Sequence, residues 1–185
     1  MNAMSIAKII IDICLLRGRP QDLPASTSLL WLAALSTVVV DYAGIASIYG
    51  HGGMRLLLVV IQVFLFAGVV WAVLQLRGHA ERWLQTIIAL FAANTIFSLI
   101  LLPVLPQLAL LIKQGSAPQA SLQIGWEIYF ALACSIWYFM VMTQVMRHAL
   151  AWPLALSGLV SFASLVAVRL AEVMLHSFFS LPAPT

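Results

Sequence analysis

Five long apolar runs fill most of this chain and leave it few ways to fold. They cover residues 28–49, 55–76, 84–105, 124–146 and 150–175. Each is close to the roughly 20 residues that carry a helix across a bilayer. Backbone N–H and C=O groups in hydrocarbon must be satisfied within the chain, so runs of this kind fold as helices. Composition agrees: 63% of the 185 residues are hydrophobic and 8% charged, against about 25% charged in an ordinary soluble domain. The expected fold class is all-α, a polytopic transmembrane bundle of five spans. No room is left for a separate water-soluble catalytic domain. Residues 1–27 read as an amphipathic helix with a proline-containing connector, 28–178 as the transmembrane domain and 179–185 as a short external tail.

The segments between the runs refine this picture. Residues 4–16, MSIAKIIIDICLL, place Ser5, Lys8 and Asp12 on one narrow helical stripe, with Ile6, Ile9, Ile10, Ile13 and Leu16 elsewhere. That length is too short to span, and it predicts an interfacial helix lying on the membrane surface. Lys8 and Asp12 also interrupt the first apolar stretch, so it does not read as a cleavable signal peptide. RGRPQDLPAST follows, with Ser26, Thr27 or Ser28 available as N-cap. The third run continues to Ile112, and Pro103 and Pro106 predict a kink or stop before a short further piece. GHGG and RGHAER are short enough to force antiparallel neighbours, while KQGSAPQAS allows a longer loop.

Charge sets orientation. With a cytoplasmic N-terminus, Lys8, Arg17, Arg19, Arg77, Arg82 and Arg147 fall inside, and Arg55 and Lys113 outside. The positive-inside rule then predicts N-in and C-out, in a bacterial inner membrane. Trp31, Trp71, Trp83 and Trp152 at inner helix ends, with Tyr49 and Trp126 at outer ones, point the same way. Because the basic residues lie between apolar runs, the net charge of +3 speaks for topology and against nucleic-acid binding.

Function must be sought among polar groups at membrane depth, where a charge needs a partner or water. Four acidic or basic side chains fall inside the runs: Asp41, Glu127, Arg169 and Glu172. N-in topology puts all four in the outer half. Arg169 and Glu172 are three residues apart and share a helical face. The expectation is a polar cluster in which Arg169 pairs with Asp41, Glu172 or both. A cluster of this kind either fixes helix register or lines a proton or substrate path, unless Arg169 snorkels to the interface. Gln62, Asn94, Thr95 and Gln144 read as hydrogen-bonding glue between helices, and Ser157, Ser161 and Ser164 as a small-residue packing stripe.

Catalytic and cofactor signatures are absent from the sequence. It contains no HExxH, Walker loop, GxSxG or Cys/His cluster. Cys14 and Cys134 suggest neither a disulfide framework nor a metal site. His51, His79 and His148 fall in expected loops and His176 at a span end, which does not suit a membrane haem. No catalytic, cofactor or metal residues are therefore expected, and no enzymatic activity.

A short lead-in with RP and LPAS before the first span, the GHAERWLQTIIALF entry to the third, its proline-rich end, and VMRHALAWPLA between the fourth and fifth together resemble small bacterial members of the Yip1-domain family. The resemblance covers most of the chain and is one of layout, with no catalytic motif. It implies five-span proteins that associate with other membrane proteins; eukaryotic members also bind prenylated small GTPases through a long N-terminal region. No GTPase-binding residue can be carried over to this sequence. The expected role is a scaffold, assembly factor or accessory subunit acting through helix contacts, with the lipid bilayer and other membrane proteins or further copies as partners. The alternative is a small transporter or channel subunit that uses the outer-half polar cluster. A lipid-active enzyme with an acidic base would lack a nucleophile or metal set.

Overall fold

A computed structural model describes residues 3–115 and 125–178. The described residues are helical, with α1 at Ala3–Cys14, α2 at Thr27–Tyr49, α3 at Gly53–Leu76, α4 at Trp83–Leu101, α5 at Leu105–Gly115, α6 at Trp126–Leu150 and α7 at Leu154–Phe178. Single 3-10 turns occur at Pro20–Asp22 and Ala80–Arg82. Five helices, α2, α3, α4, α6 and α7, are long and apolar enough to cross a membrane. They alternate in direction. One end of the bundle, called here the basic end, carries Arg77, Arg82 and Arg147, and the other carries Arg55. Residues 179–185 lie outside the described residues.

Local chemistry places the helix ends. Ser26 is the N-cap of α2, its Oγ accepting from the Leu29 N–H at 3.5 Å. Gly50 turns the chain with φ 79°, a conformation that glycine takes without a Cβ penalty. Arg55 then donates to the carbonyls of Tyr49 and Gly50. The third apolar run divides into α4 and α5 around Pro103, whose ring removes an N–H donor. The α6 helix runs further than expected, through Leu150, before Ala151 adopts a left-handed φ of 54° ahead of Pro153. His148, expected in a loop, therefore sits in the last turn of α6.

The central helix is α4. Half of its span is buried within the bundle, against at most 28% for the others. Ile87, Ile88, Leu90 and Ala93 are fully enclosed. Hydrocarbon is as apolar as leucine, so close packing and hydrogen bonds, rather than escape from water, hold such helices together. The Trp83 indole N–H, for example, donates to the Ala67 carbonyl of α3 at 3.0 Å.

The amphipathic helix α1 docks on the bundle. It packs on α4 and α6, with Ile13 and Cys14 buried. The Cys14 carbonyl accepts from the Trp137 indole N–H at 2.9 Å. Trp137 lies thirteen residues before the end of α6, about 20 Å along the helix at 1.5 Å per residue. Ile6, Ile9 and Ile10 pack against the core, while Met4, Ile11 and Leu15 are exposed. The isoleucine face has thus found a groove in the protein. From there the connector descends to the basic end, where Gln85 Nε2 donates to the carbonyls of Gln21 at 3.2 Å and Leu23 at 2.8 Å. Gln21 Nε2 in turn donates to the His148 carbonyl at 2.9 Å.

Candidate functional site

Every spanning helix contributes a polar side chain to one cavity of about 120 Å³. Thr37 and Asp41 come from α2, Gln62 from α3, Asn94 from α4, Tyr138 from α6 and Arg169 from α7, with Val63, Phe66, Phe91, Leu165 and Val168 completing the wall. Asp41, Gln62, Asn94, Tyr138 and Arg169 each lie seven or more residues inside the ends of their helices, or about 10 Å and more. A cavity with this many polar partners has the character of sites that hold water.

Asp41 is positioned by α4. Asn94 Nδ2 donates to both carboxylate oxygens, at 3.2 and 3.0 Å, and Ser98 Oγ donates to Oδ1 at 2.8 Å. Asn94 and Ser98 are four residues apart, so they stand one above the other on a single helix face. One turn below Asp41, Thr37 Oγ1 donates to the Phe91 carbonyl at 3.1 Å and lies 3.1 Å from Thr95 Oγ1. Ser36 joins the same hydroxyl group through Thr95 at 3.3 Å. The α2–α4 contact is thus fastened by a ladder of side-chain hydrogen bonds that ends on the carboxylate. Arg169 lines the same cavity as Asp41, and Tyr138 is held edge-on against Phe97 at 5.6 Å between ring centroids.

Of the four charged residues singled out from the sequence, the structure brings Asp41 and Arg169 to one cavity. Glu127 does not line it. That residue belongs to the first turn of α6, with its carboxylate folded back against Gly125, where the positive end of the helix dipole favours an anion. The Glu172 side chain lies outside the described residues, so its expected pairing with Arg169 does too. Ser157, Ser161 and Ser164 are buried, and Gly158 between them faces Thr143 of α6. Thr37, Ser98 and Tyr138 were not expected at the site. The spacing of Asn94, Thr95 and Ser98 does carry a signal, because polar residues at i, i+1 and i+4 on an apolar helix must meet one neighbour.

No protein-family model, curated protein or solved structure matches the chain. Among the described residues, no group of three His, Cys, Asp or Glu side chains is placed to hold a metal ion. Fold and site together define a helical protein with five membrane-length helices around a polar cavity.

Proposed function

We propose that this is a non-enzymatic integral membrane protein, a small transporter or channel subunit in which the cavity around Asp41 receives protons or small polar solutes. One observation carries the reading: polar side chains from all five long helices converge on a single cavity at membrane depth. Fastening two helices requires polar groups from two. Ionisable groups inside a membrane persist where they meet a partner or water, and transporters hold their substrates near the midplane where helices converge. A bundle of five helices is thin, so passage through it requires self-association or a partner membrane protein. We place the basic end in the cytoplasm of a bacterial cell, with the N-terminus inside and the C-terminus outside.

A second reading rests on a different observation. Both Asp41 oxygens are engaged by α4 alone, which is what a clamp between α2 and α4 needs. A bundle clamped in this way suits a scaffold, assembly factor or accessory subunit, and the Yip1-like layout points the same way. Proteoliposomes separate the two readings. The transport reading predicts that wild type accelerates pyranine acidification under a valinomycin-driven potential, or shrinkage and recovery in glycerol, above empty vesicles. It also predicts that Asp41→Asn lowers that rate at least tenfold. Wild-type vesicles that match empty ones in both assays would leave the scaffold reading standing.

A further inference from the structure

Near the basic end, α6, α7 and the connector enclose a second depression of about 370 Å³. Leu16 of the connector, Met140 and Thr143 of α6, and Leu154 and Gly158 of α7 form its wall, and Gln144 stands at its polar edge. Met140, Gln144 and Arg147 follow one another at i, i+4 and i+7, so the apolar groove ends in an arginine on the same helix face. Arg147 is exposed. Gln144 Nε2 lies 3.2 Å from His148 Nε2. The connector docks on the same end of α6, where Gln21 Nε2 donates to the His148 carbonyl at 2.9 Å, and this brings Arg19, two residues earlier in the chain, towards the end of α6 that carries Arg147. Arg19 and Arg147 supply positive charge at that end, and the nearby Asp22 carboxylate accepts from the Arg19 backbone N–H.

We infer that this groove binds an anionic phospholipid, with one acyl chain along Leu16, Met140, Leu154 and Gly158 and the phosphate at Arg19 and Arg147. Two features select this occupant. The apolar wall belongs to α6 and α7 within their membrane-length segments, so it opens to lipid chains. The basic mouth lies at the helix ends, where headgroups sit, and basic pockets between helices at that level take anionic headgroups. A zwitterionic lipid would fill the groove equally well but would gain nothing from the arginines.

The test is native mass spectrometry of the purified, delipidated full chain, titrated with dioleoyl phosphatidylglycerol and, separately, dioleoyl phosphatidylcholine. Phosphatidylglycerol is expected to bind at least tenfold more tightly. Arg19→Gln and Arg147→Gln should each weaken it about fivefold, and together roughly thirtyfold, the effect of one basic contact taken twice. Arg55→Gln, at the opposite end of the bundle, should leave it unchanged. Gly158→Leu keeps both arginines and should reduce binding by filling the groove, which Gly158 lines. Circular dichroism confirms the fold of each variant. Equal binding of the two lipids, or unchanged binding by the double arginine variant, overturns the inference. Displacement of the lipid by an equal concentration of glycerol phosphate also overturns it, by assigning the site to soluble phosphates.

Discussion

Replacing Asp41 by leucine is expected to destabilise the bundle by about 3 to 5 kcal/mol, the usual cost of removing one partner from a buried charged group. The substitution strands three donor contacts, two from Asn94 and one from Ser98. It also removes the carboxylate that shares the cavity with Arg169. Asp41→Asn keeps the shape and one acceptor oxygen, so its cost should fall to about 1 to 2 kcal/mol, the difference between charged and neutral hydrogen bonds. Unfolding in mixed dodecylmaltoside and SDS micelles measures both. If Asp41→Leu costs less than Asp41→Asn, the carboxylate is not an organising group of the α2–α4 contact.

The second large effect concerns the docking of the N-terminal segment. Gln85 Nε2 bridges the carbonyls of Gln21 and Leu23, in a connector whose Pro20 and Leu23 are buried. Gln85→Leu leaves both carbonyls without that donor inside the bundle, at a cost of about 2 to 3 kcal/mol. The connector and α1 should then detach before the spanning helices separate. Limited trypsin digestion reads this as cleavage after Arg17 at least tenfold faster than in wild type, the Arg19–Pro20 bond being resistant to the protease. Unchanged cleavage would show that Trp137 and the isoleucine face of α1 hold the segment by themselves.

The contrast between Asp41 and Glu127 shows how far the sequence reaches. Both are single carboxylates inside apolar runs, on the side away from the basic end, and a linear reading treats them alike. What separates them is helix rotation and register. Asp41 faces Asn94 and Ser98 on the central helix, whereas Glu127 is spent on its own helix N-terminus. The long helices themselves are legible because bilayer thickness fixes their length, and the turns because Gly50 and Pro103 permit few backbone conformations. The docking of α1 is not legible in the same way. Its amphipathic stripe announces an apolar face without naming the surface that receives it, and the packing of its isoleucines on α4 and α6, with the Trp137–Cys14 hydrogen bond, depends on partners far away in the chain. Tyr138 escapes notice for a related reason, since a tyrosine inside an apolar run looks like any other packing aromatic until its neighbours are known.

The central claim is that the Asp41 cavity is a wet site at membrane depth rather than a dry clamp. It is tested most directly by cysteine accessibility at Gln62, which lines the cavity from α3 and takes no part in the α2–α4 hydrogen bonds. In a background with Cys14→Ala and Cys134→Ala, Gln62→Cys in proteoliposomes is predicted to react with a charged, membrane-impermeant methanethiosulfonate. Leu170→Cys, beside Arg169 but 60% exposed on the outer surface of the bundle, should stay unmodified in lipid. Protection of Gln62→Cys to the same degree as Leu170→Cys would contradict the account.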